Sequence, residues 1–116
     1  MYAMMGMLVA KSGKRAELVE ILKQAAALVG GIPQCRLYLV NEDLANETHI
    51  RVYELWDDRE SHDASLSNGR VRALISHARP LLACAPDGAE LNPVGGHGYD
   101  MTTHGIDAGV LIYEPA

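Results

Sequence analysis

Apolar and polar positions along the chain fall into blocks of two periods. Residues 2–11 are rich in Met, Leu and Val, apolar on both faces and closed by "KSGK", which predicts a first strand. Both faces should then be covered, one by helices and the other by a second sheet. In "RAELVEILKQAAALV" (15–29) the period changes: Leu18, Ile21, Leu22, Ala25, Leu28 and Val29 form a helical stripe, with Glu17, Glu20, Lys23 and Gln24 on the wet side. Gly30 and Gly31 end this helix and Pro33 prevents its continuation. "QCRLYLVNE" (34–42) alternates as a second strand. After a turn at 43–47, "THIRVYELW" (48–56) is a third strand, rich in β-branched and aromatic residues.

Asp57 then reads as a helix cap, with Glu60 three places on in the capping-box pattern. This helix is short, because Ser67, Asn68 and Gly69 break it. A second helix over 70–79 carries Val71, Leu74, Ile75 and Ala78 inward, and Pro80 stops or kinks it. "AELNPVGG" (89–96) gives a fourth strand whose Pro93 suits a sheet edge. A Gly/His-rich loop leads to a last apolar strand at 108–114. Strand-helix-strand, used twice, predicts an α+β fold of the split β-α-β-β-α-β, ferredoxin-like kind. In the third strand Ile50, Val52, Glu54 and Trp56 share the face assigned to the helices. His49, Arg51, Tyr53 and Leu55 share the other. A second copy is the simplest cover for that other face, so a homodimer with sheets face to face, a dimeric α/β barrel, is expected.

At 116 residues the chain is one domain, and 48% apolar residues make it globular. Fifteen acidic against ten basic residues give a net charge of −5 with no basic stripe, which argues against nucleic acid. Cys35 and Cys84 form no CxxC pair and no disulfide framework, as expected of a reducing cytoplasm. "MYAMMGMLVA" lacks a cationic leader and a cleavage site and is too short for a bilayer span, so it is expected to be mature protein with no membrane partner. Five methionines and no phenylalanine give a soft, adaptable apolar wall that suits an irregular core or a pocket for a flat molecule.

"VYELWDDRESHDASL", following a β-α-β start and preceding "LNPVGG", resembles the antibiotic biosynthesis monooxygenase family and its quinol monooxygenase branch, which are dimeric α+β barrels. The specific part is Glu54-x-Trp56-Asp57 with His62 six places after the tryptophan. The likeness covers residues 2–98, and residues 1–98 are expected to be the ferredoxin-like domain; 99–116 would be a loop and strand packing on the partner subunit. The resemblance implies oxygenation of a small aromatic, polyketide or quinol-like molecule by O₂, with no cofactor and no metal. The substrate supplies much of the reactivity, while the protein binds it flat, excludes water and stabilises its anion. The rivals are an isomerase or enolising enzyme on the same barrel, and an apolar-ligand-binding dimer without turnover.

His62 is the residue type best suited to a base near neutrality, and Trp56 either fills the core or walls the cavity; these two are the catalytic candidates. Helical spacing puts Arg59, His62, Ser65 and Leu66 on one side. Glu54, Val52, Met5, Met7 and Leu66 are the expected substrate-lining residues. Glu54 would be buried and therefore needs a partner or a proton; an arginine is the simplest partner. Tyr53 and Arg51 point the other way and serve the dimer, while the face of Tyr38 stays open. Three positions depart from the family's patterns. Val52 stands where anthrone oxygenases have asparagine, Ser65 where several relatives have a second histidine, and Leu66 where haem-degrading relatives have histidine. Haem degradation is therefore rejected. His97, Asp100 and His104 are spaced as in no metal site with a structural rationale and read as a polar loop.

Overall fold

The computed structural model describes residues 1–97. The chain runs β1 (Tyr2–Val9), α1 (Arg15–Val29), β2 (Cys35–Glu42), β3 (His49–Trp56), α2 (Arg59–Ser65), α3 (Gly69–Ala78), a 3₁₀ turn (Arg79–Leu81) and β4 (Asp87–Leu91). All strand pairs are antiparallel, in the order β2-β3-β1-β4. This is the α+β, ferredoxin-like arrangement that the periodicity predicts. The expected last strand at 108–114 lies outside the described residues.

Residues opposite one another in an antiparallel pair share a face, so the register sorts the sheet into two sides. Tyr2 lies opposite Trp56, Met4 opposite Glu54, Gly6 opposite Val52 and Leu8 opposite Ile50. These positions face the helices, together with Tyr38, Val40 and Cys35 of β2 and Glu90 of β4. Two core clusters form there. Ala10, Leu18, Leu22, Ile50, Val52 and Ala78 make one; Val29, Cys35, Trp56 and Val71 make the other, at the end of the sheet where β3 runs into α2. On the far side Ala3, Met5 and Met7 align with Leu55, Tyr53 and Arg51; Leu55 is buried, while Tyr53 and Arg51 are exposed and no helix of the described chain lies on this side.

Local details differ from the sequence reading where neighbouring residues compete for one role. Asp58, not Asp57, caps α2, accepting the Ser61 amide at 2.7 Å. Asp57 is still held at the strand end: its amide bonds the Gln34 carbonyl, and its carboxylate takes the Arg36 Nε at 2.6 Å. Asn68 caps α3 through the Arg70 and Val71 amides, one turn position earlier than expected. Ile75 is exposed, so the inward stripe of α3 is narrower than the spacing implied. β4 ends at Leu91, leaving Pro93 beyond it, although its place at the sheet edge is as expected. Gly13 adopts φ 75°, the left-handed conformation that lets the chain turn from β1 into α1. Among the described residues no helix is long and apolar enough to cross a membrane.

Candidate active site

The end of β3 and the two-residue connection to α2, Asp57 and Asp58, bring the chemistry-bearing side chains together. Alternation turns Glu54 and Trp56 to the helix side, and the Asp58 cap starts α2 at once, so that His62, one turn in, lies back over the strand end. The helix is fixed further by Ser65, whose hydroxyl donates to the His62 carbonyl at 2.6 Å. Trp56 is fully buried and His62 is 5% exposed. The two rings meet edge to face at 5.7 Å between centroids, and the Tyr2 ring covers the imidazole at 5.3 Å.

The electrostatic centre of this cluster is the Glu54 carboxylate. Oε1 accepts the Trp56 indole N–H at 3.1 Å and stands 3.8 Å from His62 Nε2. On its other nitrogen, Nδ1, His62 contacts Asp63 Oδ1 at 2.9 Å. The imidazole is thus bracketed by a buried and an exposed carboxylate. Burial pushes the Glu54 carboxyl above the usual range, against the opposing pull of the indole N–H and the imidazole. Tyr38 lies directly opposite Glu54 on β2, and burial followed by the Glu54 charge raises its phenol. The same two causes push the Cys35 thiol up to about 12, so it stays protonated and acts as core. The partner of Glu54 is therefore an indole and an imidazole, where an arginine was expected; Arg36 is taken by Asp57.

The sequence-derived candidates divide between places. Glu54, Trp56 and His62 come together. Val52 is on the same face but packs in the other core cluster, with Ile50 and Leu18. Met5 and Met7 are on the opposite face, aligned with Tyr53 and Arg51, and line an open hollow of about 290 Å³ with Asp87 and Ala89. They cannot wall a site beside Trp56, because a strand turns alternate residues to opposite sides. Leu66 ends α2 and is exposed, as is Arg59, so of the four residues placed on one side of this helix only His62 and Ser65 point inward. Tyr2, Met4 and Tyr38 are the neighbours of Glu54 and Trp56 that sequence reasoning did not place there. Their signal is the β1–β3 and β2–β3 register, which alternation within one strand does not contain. A second hollow of about 270 Å³ lies on the other flank of α2, among Ile32, Gln34, Ser61, Ala64, Ser65 and Asn68. Among the described residues no group of three or more His, Cys, Asp or Glu side chains is placed to hold a metal ion, and Asp100 and His104 lie outside them.

An antiparallel sheet backed by helices on one face, with a buried acid–base cluster between the layers, defines the class. The family model for antibiotic biosynthesis monooxygenase matches residues 1–76, and the chain belongs to that family. A crystal structure from Chloroflexus aurantiacus J-10-fl, described as a candidate antibiotic biosynthesis monooxygenase, is 39% identical with a TM-score of 0.75. The match covers 84% of this chain and 96% of that one. A structure from Deinococcus radiodurans with the same description is 24% identical, TM-score 0.75, over 84% of this chain and 96% of that one. Another, from Nitrosomonas europaea, is 14% identical, TM-score 0.78, over 82% and 100%. These last two share the fold. No curated protein sequence matches the chain.

Proposed function

We propose that the protein is a monooxygenase that oxidises a small hydroxy-aromatic, quinol- or anthrone-like molecule directly with O₂, without a bound cofactor, on the helix side of its sheet. Family membership supports the oxygenase class. The observation that carries the site is the Glu54 carboxylate reaching both the Trp56 N–H and the His62 imidazole under cover of Tyr2. When His62 donates its Nδ1–H to Asp63, Nε2 is left with its lone pair as the proton acceptor. It takes a proton from the acidic position of the substrate, and the Glu54 charge stabilises the imidazolium that results. The substrate anion passes an electron to O₂, the two radicals combine as a peroxide anion, the imidazolium returns its proton to make the hydroperoxide, and loss of water leaves a new carbonyl. One oxygen atom enters the product and the other leaves as water. Dry apolar walls strengthen every charge interaction along this course.

The active unit on this reading is a homodimer. Ala3, Met5, Met7, Leu37, Leu39 and Tyr53 lie on the uncovered sheet face, and Tyr53 is 43% exposed in the single chain. A second copy laid across it would remove that apolar surface from water. The test is oxygen uptake with a panel of naphthoquinols and anthrones, run beside the same panel under argon. Uptake with one oxygen atom of isotopically labelled O₂ carried into the quinone product supports oxygenation; quinone with hydrogen peroxide and no label counts against it. Product under argon means that the same base serves an isomerase, and saturable binding with no product in either gas leaves a binding protein.

A further inference from the structure

The imidazole assigned as base is closed off on every side. Trp56 and its core cluster close one flank, Glu54 and Tyr38 the sheet side, and α2 the rest. The remaining cover is the Tyr2 ring, and what holds that ring differs in kind from the packed core. The Tyr2 hydroxyl donates to Glu90 Oε1 at 3.1 Å. The same oxygen takes Arg59 Nη2 at 3.0 Å, and Arg59 Nε reaches Asp63 at 3.6 Å. Asp63 in turn contacts His62. A chain of polar contacts thus runs from the first residue of β1, over the edge strand β4, to α2 and the base itself.

Every part of this chain lies at a strand end, at the sheet edge or on the surface. All five residues of β4 are exposed, β4 pairs with β1 alone among the strands, and Tyr2 opens the first strand of the sheet. The Arg59 side chain is 62% exposed, and ion pairs that exposed are weak and exchange readily with water. The clasp also carries a charge. Two carboxylates, Glu90 and Asp63, face one guanidinium, in a protein whose net charge is already −5. Glu90 moreover already accepts a phenolic hydroxyl, that of Tyr2, so an incoming hydroxy-aromatic can take over this bond as the tyrosine swings away.

We propose that Tyr2, Glu90, Arg59 and Asp63 form the entrance gate of the His62 site, and that the gate filters by charge, admitting uncharged hydroxy-aromatic molecules and excluding those that carry a carboxylate. The substrate-class half rests on the oxygenase reading above; the gate itself does not. Diethyl pyrocarbonate labelling, followed at the His62 peptide by mass spectrometry, reads access to the imidazole without any turnover. Tyr2→Ala and Arg59→Gln should raise the His62 labelling rate about tenfold or more and severalfold respectively, because they remove the cover or its tether. Unchanged rates in both variants, with far-UV spectra like the wild type, would overturn the gate and put the entrance elsewhere. For the filter, a naphthoquinol and its carboxylated analogue are compared by kcat/KM, or by binding constant if neither turns over. Wild type should prefer the uncharged compound, and Glu90→Gln should shrink that preference about tenfold, through KM rather than kcat. An undiminished preference in Glu90→Gln would overturn the filter. If wild type oxidises neither compound, the oxygenase reading falls, and labelling still decides the gate.

Discussion

One strand, β3, supplies both sides of the sheet, and the two sides have opposite characters. Its helix-facing residues, Ile50, Val52, Glu54 and Trp56, are buried or nearly so, and one of them is a carboxylate. On its other side Arg51 and Tyr53 are exposed beside a largely apolar surface formed by Met5, Met7 and Leu39. The closed side thus tolerates a charge, and the open side lacks the cover that its greasiness calls for. Burying Glu54 beside an indole and an imidazole is unfavourable for stability alone and is what a reactive site requires. Leaving an apolar sheet face uncovered is unfavourable in the same way and is what an association surface requires.

The strongest way to break this contrast is to truncate one aromatic residue on each side. Trp56→Ala should cost about 3–5 kcal/mol in urea unfolding, at any protein concentration, because it empties a packed core. Tyr53→Ala should cost less, and its cost should grow with protein concentration, because it acts through association. Equal, concentration-independent losses would erase the distinction between the faces.

Next in size is chemistry. His62→Phe should keep the fold and lower turnover about 10²-fold, as removal of a general base does. A change below about threefold would take the imidazole out of the mechanism. On the open face, the proposed homodimer predicts that the wild type sediments as a dimer and Met5→Asp as a monomer with an unchanged far-UV spectrum; a variant that remains dimeric would show that the copies meet elsewhere.

Much of this division could be seen in the chain before any fold was known. The two-residue alternation of 49–56 placed Glu54 and Trp56 together on the helix side, and the short reach to His62 put the imidazole near them. What alternation within a strand cannot supply is the register between strands. "MYAMMGM" has methionines on both faces, and only pairing with β3 shows that Met4 turns toward Glu54 while Met5 and Met7 turn away. Likewise two successive aspartates can each cap α2. The choice of Asp58 follows from Arg36, which takes Asp57 across a bulge at Cys35–Leu37, a contact between residues far apart in sequence. The clasp of Tyr2, Glu90 and Arg59 joins the first and last strands of the described chain to a helix and leaves no local trace.

A smaller effect sharpens the account of Glu54. Burial raises its carboxyl, so the folded chain holds this proton to a higher pH than the unfolded chain does. The stability this confers is fully present below the unfolded carboxyl value of about 4.3 and is lost as pH rises through the raised folded value. Glu54→Gln, neutral throughout, escapes that loss. The melting temperature of the variant minus that of the wild type should therefore increase by a few degrees as pH rises from about 4 to 7. A difference that shrinks over this interval would mean that the fold prefers the ionised carboxylate.

Trp56 is the single tryptophan of the chain, so its emission reports on the closed side alone. The most direct test is a fluorescence titration with whichever anthrone or naphthoquinol gives oxygen uptake in the panel, done without oxygen so that nothing turns over. Saturable quenching of Trp56, with a midpoint that tracks KM, is the expected result. Oxygen uptake that proceeds with the indole emission unaltered at saturating substrate would place the chemistry away from Glu54, Trp56 and His62 and contradict the account.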